Sequence, residues 1–250
     1  MKDFFNNLLL FFQFFTRIPI KINLKCDKEN FRRGSIFFPI IGLFIGGIQY
    51  GVYKLSIHPF GGMITAALMM LVPIIITGGL HVDGLGDTCD GFFSFKGDKD
   101  KIIEIMKDSR VGTYSSIATV ADMLLKFSAI FTLITLGVPQ AVIIAPIISR
   151  LGVVFIAFIG KNAKETGSGN IFIGNISAIA MFLVLVIASA LTIAIVGVTD
   201  VIIIIPSILI ATFLFNLFCN SKIGGQTGDT LGANNEIMEI LTLLILIAVS

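Results

Sequence analysis

The chain has 250 residues, 55% of them hydrophobic and only 14% charged, with a net charge of +2. Soluble domains average about 25% charged residues, so this composition and a mean hydropathy of +0.95 exclude an ordinary soluble domain. No basic run with interleaved aromatics is present, which argues against nucleic acid as a partner, and the three cysteines, Cys26, Cys89 and Cys219, have neither metal-ligand spacing nor an even count for disulfides.

In chain order, residues 4–16 form a Phe-rich apolar segment. It is shorter than the roughly 20 residues needed to cross a bilayer and is expected to lie in the interface or re-enter. It does not resemble a cleaved signal peptide, because Asp3 follows Lys2 at once and no small-x-small site follows the apolar run. Residues 36–55 and 62–80 are the first two predicted crossings, and residues 81–112 a polar loop. Residues 113–137 and 139–160 form a hairpin about Gly137-Val138-Pro139, followed by a second polar loop over 161–175. Residues 176–197 and 200–219 form another hairpin. A third polar loop covers 220–236, and a short final helix covers 237–249. The expectation is an all-α polytopic membrane bundle of about seven transmembrane helices with an N-terminal interfacial or re-entrant segment, built as one integral-membrane catalytic domain over residues 1–250.

Seven crossings place residues 1–35 and all three polar loops on one side of the bilayer. That side holds 15 of the 18 Lys and Arg residues; Lys54 alone lies at the other face, and Lys126 and Arg150 fall inside crossings. Basic residues favour the cytoplasm, so the polar loops are expected there. Pro39, Pro73, Pro146 and Pro206 fall within predicted crossings, either as ordinary kinks or as breaks lining a cavity.

The chemistry concentrates in the polar loops. The run Gly78-Gly79-Leu80-His81-Val82-Asp83-Gly84-Leu85-Gly86-Asp87-Thr88-Cys89-Asp90-Gly91 follows an apolar stretch. On a helix Asp83, Asp87 and Asp90 would share an arc of about 60°. Like charges so crowded are unfavourable unless a cation sits among them. Glycines admit a bulky ligand, and Mg²⁺ binds through a few carboxylates plus phosphate oxygens. EF-hand spacing is absent. In Lys107-Asp108-Ser109-Arg110-Val111-Gly112-Thr113, Asp108 could complete a metal site and Arg110 could hold a phosphate. Just before it, Ile102, Ile103, Ile105 and Met106 recur at helical spacing among charges, as in an amphipathic helix on a membrane surface.

The third run is Gly224-Gly225-Gln226-Thr227-Gly228-Asp229-Thr230-Leu231-Gly232-Ala233. Gly225, Thr227 and Gly228 could present backbone N–H groups to an anion, with Asp229 as a second ligand or a base; the alternative is a glycine turn in which Thr227 or Asp229 caps a helix. No Walker motif is present. Within crossings, Asp122 and Lys126 lie four apart and can neutralise each other, although Lys126 could turn toward an anionic ligand. Arg150 has no acid at i±3 or i±4, and a lone buried Arg needs an anion, for which phosphate is the expectation. The 161–175 loop, with Gly167, Gly169 and Asn170, is expected to cover the site. His58 and His81 have no imidazole neighbour and are expected not to be ligands.

Together these runs, with Phe14-Phe15-Thr16-Arg17-Ile18-Pro19, Arg33-Gly34 and Phe38-Pro39 with Gly42, resemble the cobalamin synthase family, the adenosylcobinamide-GDP ribazoletransferases, over nearly the whole chain. Ser115-Ser116 stand where that pattern leads one to expect glycines. The resemblance implies a magnesium-dependent enzyme of a prokaryotic cytoplasmic membrane, with the lipid bilayer as its surroundings. It implies that α-ribazole or its 5′-phosphate is joined to adenosylcobinamide-GDP, giving adenosylcobalamin or its 5′-phosphate and GMP. In that reaction Asp83, Asp87 and Asp90 would hold Mg²⁺, Asp108 or Asp229 would take the hydroxyl proton, and Arg110 and Arg150 would clamp phosphate.

Other readings share single features. A CDP-alcohol phosphotransferase has an Asp-x-x-Asp-Gly start, met by Asp87 to Gly91, but Ser94-Phe95 stand where Ala-Arg should follow. An intramembrane prenyl transferase uses Asp-x-x-x-Asp loops, which Asp83 and Asp87 fit without the usual preceding Asn. A transporter would account for kinked helices and intramembrane charge, yet the acids concentrate outside the crossings and no inverted repeat is visible.

Overall fold

A computed structural model describes residues 2–94 and 97–250. Phe95 and Lys96, which enter the motif comparison and the charge count above, lie outside the described residues. The helices are α1 (Lys2–Phe15), α2 (Lys28–Gly34), α3 (Phe38–Thr77), α4 (Leu80–Ser94), α5 (Lys99–Met106), α6 (Thr113–Thr135), α7 (Ile144–Ile159), α8 (Ala178–Val196), α9 (Val198–Ile223) and α10 (Gly228–Val249). No strand occurs among the described residues, only an isolated bridge between Asn162 and Gln226. Six helical stretches among them are long and apolar enough to cross a membrane.

The first of these stretches folds back on itself. At 40 residues α3 would be about 60 Å long if straight, twice the hydrocarbon thickness. Gly61, with φ +72° and ψ 174°, breaks it, in a conformation that side-chain-bearing residues rarely adopt. The buried Gln49 amide donates to the Met69 carbonyl at 3.1 Å, so the arms 38–60 and 62–77 lie side by side. The two arms, together with α6 to α10, match the seven expected crossings. The helix runs on through Pro73, as α9 does through Pro206, so these prolines are kinks and not breaks.

α7 is the central helix, with Ile147, Ile148, Leu151, Val154, Ile156 and Ala157 fully buried. It meets the first arm of α3 at backbone distance: a Cβ on Gly42 or Gly46 would stand 2.7 Å from the Cα of Ile147 or Ile143. Small residues at such crossings are how helices associate where lipid supplies no hydrophobic drive. α8 and α9 turn Ile179, Phe182, Ile202 and Ile210 outward, as suits a lipid-facing surface.

Three expectations about the polar segments are corrected. The 81–112 segment is not a loop; it contains α4 and α5. The apolar side of α5 (Ile102, Ile103 and Met106) packs on Phe92, Cys219 and Ile223, so this amphipathic helix docks on protein instead of lying on the bilayer. The expected 220–236 loop shrinks to the few residues between α9 and α10. Left-handed Gly224 stops α9, and a capping box between Thr227 and Thr230 starts a 22-residue α10, a full crossing where a short helix was expected. α1, as expected, is too short to span. It buries Phe11 among Phe31, Phe38 and Phe172 and leaves Phe4 and Phe5 exposed.

The polar segments meet at one end of the bundle. The Arg17 amide donates to the Ile76 carbonyl at 2.6 Å, and the Asn175 amide to the Lys28 carbonyl at 2.6 Å. Gln226 and the 161–163 segment exchange two backbone hydrogen bonds of 2.8 and 2.9 Å.

Candidate active site

α4 begins where left-handed Gly78 and Gly79 (φ +66° and +76°) reverse the chain after α3. Asp83, Asp87 and Asp90 then fall along one side of α4, as the spacing predicted: Asp83 exposed, Asp87 half-buried and Asp90 buried. Asp90 differs from the other two. Its Oδ2 accepts from the Gly112 amide at 2.7 Å and its Oδ1 from the Ser115 amide at 2.9 Å. Both oxygens cap the start of α6, where a carboxylate satisfies orphan amides and the helix dipole. A Cβ on Gly112 would stand 2.6 Å from the Asp90 carboxyl carbon, so glycine is required there. The structure thus makes Asp90 a brace between α4 and α6.

α10 brings a further carboxylate to these residues. A Cβ on Gly84 would lie 2.7 Å from the Asp229 carbonyl oxygen and 3.1 Å from its Cα, so the first turn of α10 lies directly on α4. Asp229 accepts from the Thr227 hydroxyl at 3.2 Å and has the Lys164 ammonium at 4.0 Å. Burial first, and then Asp83, Asp229 and Asp90, push the Asp87 carboxyl up to about 7. Thr227 is the N-cap of α10, accepting from the Thr230 amide at 3.2 Å, which is the capping alternative. The glycines around it serve close packing: a Cβ on Gly225 would meet the Lys161 carbonyl at 2.5 Å, and one on Gly169 would meet the Gly228 nitrogen at 2.7 Å. The 161–175 segment therefore does lie over this turn, as expected, and contributes Lys164.

Asp108 and Arg110 bond to each other. The Arg110 guanidinium donates to Asp108 at 2.5 and 3.0 Å, and its side chain is 88% exposed. Those hydrogen bonds hold the Asp108 carboxyl down at about 2. Of the two expected proton acceptors, Asp229 is the one placed beside Asp83 and Asp87.

The intramembrane charges form a separate buried network. Lys126 contacts Asp122 at 3.1 Å, as the i,i+4 spacing predicted, and also Glu239 at 3.2 Å and Glu236. Arg150 pairs with Glu239 and donates to the Ser149 hydroxyl at 3.0 Å. The anion for which a phosphate was expected is thus Glu239, and neither Arg150 nor Lys126 is free for a ligand. His81 is buried against the network. Burial first, with Arg150 next, holds its imidazole neutral down to about 3. Sequence reasoning missed Glu236 and Glu239, because their partners lie 110 and 89 positions away. Two carboxylates three apart in an apolar helix were the available signal.

Two cavities share Asp83, and a third lies beside Lys164. An apolar one of about 110 Å³ has Asp83 and Asp229 on its wall. A groove of about 860 Å³ shares Asp83 and carries Arg17, Thr77 and Ser115. A third, of about 810 Å³, carries Lys99, Lys107 and Lys164. Hard carboxylate donors next to lysines and large grooves suit a divalent cation with a phosphorylated substrate.

The family model described as cobalamin-5-phosphate synthase matches residues 7–247. The chain is 52% identical over 248 residues, 98% of either chain, to the adenosylcobinamide-GDP ribazoletransferase of Clostridium kluyveri. It is 51% identical over 245 residues to that of Clostridium tetani, covering 97% of this chain and 96% of the other, and 47% identical over the full length of both chains to that of Clostridium botulinum strain Okra. No solved structure matches the chain.

Proposed function

Since the chain belongs to the cobalamin-5-phosphate synthase family, we propose that it is the membrane transferase that joins α-ribazole or its 5′-phosphate to adenosylcobinamide-GDP, completing the cobalamin nucleotide loop and releasing GMP. The observation that carries this reading is the meeting of Asp83 and Asp87 on α4 with Asp229 at the start of α10.

The donor set fits Mg²⁺. Among the described residues no three His, Cys, Asp or Glu side chains form a ready-made metal cage. Mg²⁺ here would therefore depend on one or two carboxylates, with phosphate oxygens and water completing its shell. Asp83 and Asp87 would hold it, and when bound it would offset charge on the diphosphate and its leaving group. Asp229, next to them, takes the proton from a free secondary hydroxyl of the α-ribazole ribose, one available whether or not the 5′ position is phosphorylated, as that oxygen bonds to the phosphorus attached to cobinamide. The bond from that phosphorus to the GMP phosphate breaks, and GMP leaves. Lys164, 4.0 Å from Asp229, and Lys107 in the same groove receive the departing phosphate. Asp90 keeps α4 fixed on α6 while this happens. The polar end faces the cytoplasm, in keeping with its share of the basic residues.

The test is GMP release from adenosylcobinamide-GDP by detergent-solubilised protein. Release should require α-ribazole or its 5′-phosphate, stop in EDTA and return with Mg²⁺. Undiminished release in EDTA would overturn the metal role. Release without either acceptor would overturn the transfer.

A further inference from the structure

The 110 Å³ cavity is unlike the two grooves. Four phenylalanine rings, Phe14, Phe15, Phe31 and Phe172, form one side of it, with Phe31 and Phe172 only 1% and 3% exposed. Phe14 stands edge-on to Phe15 and Phe31, with centroids 4.8 and 5.1 Å apart. Glycine backbone and the aliphatic Leu80, Val153, Ile171 and Leu231 complete the apolar lining. Gly84 and Gly232 lie where α4 and α10 cross, and a Cβ on Gly232 would meet the Gly84 Cα at 3.3 Å. Gly169 and Gly228 touch in the same wall. The polar groups are concentrated at Asp83 and Asp229, the carboxylates of the reaction, together with buried His81.

From this geometry we infer that the cavity binds the planar aromatic base of the acceptor nucleoside, with the ribose directed at Asp83 and Asp229. The inference rests on the transfer reaction proposed above and names the subsite for its acceptor. Size sets a limit. At about 110 Å³ the cavity is smaller than the roughly 150 Å³ that holds a whole benzene ring, so it takes the leading edge of a flat base through its opening and excludes a corrin. Chemistry supports the inference as well: aromatic rings pack favourably edge-to-face with other rings, and dimethylbenzimidazole, the base of α-ribazole, offers an apolar plane. Geometry supplies the third argument. A base seated among the phenylalanines places its sugar at the carboxylate wall, where the attacking ribose hydroxyl must lose its proton.

Ile171, half-buried in the turn over the cavity, gives the most direct test. Ile171→Phe should fill the space and raise KM for α-ribazole about tenfold, with a much smaller change in KM for adenosylcobinamide-GDP. It should also shift preference toward the riboside of unsubstituted benzimidazole, and Ile171→Ala should shift it the other way. Binding is measurable directly, because the chain has no tryptophan to mask benzimidazole fluorescence. A titration should show weaker α-ribazole binding to Phe14→Ala and Ile171→Phe in protein that elutes as folded. If wild-type protein turns over but Ile171→Phe leaves KM for α-ribazole unchanged, or raises only KM for adenosylcobinamide-GDP, the assignment is overturned. Absence of wild-type GMP release would instead overturn the reaction itself.

Discussion

Gly84→Ala tests the junction on which the acidic site depends. The added Cβ would stand 2.7 Å from the Asp229 carbonyl oxygen, about 0.7 Å inside an ordinary contact, and 3.1 Å from the Asp229 Cα. Both neighbours are backbone, so no rotamer change relieves the clash and α10 must move off α4. Alanine favours a helix over glycine by up to about 1 kcal/mol, whereas overpacking costs about 1–3 kcal/mol; the net is a modest loss of stability. The larger effect falls on catalysis, since a displacement approaching 1 Å can cost about 10²-fold in rate. GMP release per folded molecule should therefore fall at least tenfold, as measured beside thermal unfolding in the same detergent. Gly42→Ala is the control. Its Cβ would collide with the Pro146 carbonyl oxygen and stand 2.7 Å from the Ile147 Cα, a tighter clash, between α3 and α7 and away from Asp83, Asp87 and Asp229. It should lose stability yet keep its rate per folded molecule. A Gly84→Ala enzyme with wild-type rate, or a Gly42→Ala enzyme equally impaired in rate, would refute the reasoning.

Asp87→Asn should lower GMP release by about 10²- to 10³-fold. It also has a pH signature. The folded value of about 7 lies above the ordinary 3.8, so the fold favours the protonated acid, and without Mg²⁺ its stability declines as pH rises through that window. In EDTA the wild-type melting temperature should fall between pH 5 and pH 8 by more than that of Asp87→Asn; equal falls would contradict this. Glu239→Gln should destabilise the bundle by about 3–5 kcal/mol, because Arg150 and Lys126 lose a buried counter-charge. Adding Arg150→Met should cost less than the sum of the two single changes, and strictly additive melting shifts would show that the residues do not interact.

The apolar crossings were legible because lipid solvation demands long uninterrupted runs. Their turns at Gly61, Gly137 and Gly197 coincide with left-handed glycines. What escaped was helix hidden under loop-like composition. Gly84, Gly86 and Gly91 in α4 and Gly228 and Gly232 in α10 look like turn residues by propensity. They are helical because the glycines let α4, α10 and their neighbours approach at backbone distance, and that packing outweighs propensity. The common face of Asp83 and Asp87 followed from helical periodicity. The diversion of Asp90 to cap α6 did not, since its partners lie 22 and 25 positions on. Nor could Arg150 reveal that its anion is a carboxylate on α10.

The order of these groups along the chain bears on how the protein is made. Asp83, Asp87, Lys126 and Arg150 all precede α10, which carries Asp229, Glu236 and Glu239. During synthesis, two cations enter the bilayer with Asp122 as their only acidic partner in the assembled network, and the acids of α4 wait without their companion. Insertion of α10 neutralises the first set and completes the second in one event. Neutralisation of the buried cations and assembly of the candidate site thus both wait for the last helix.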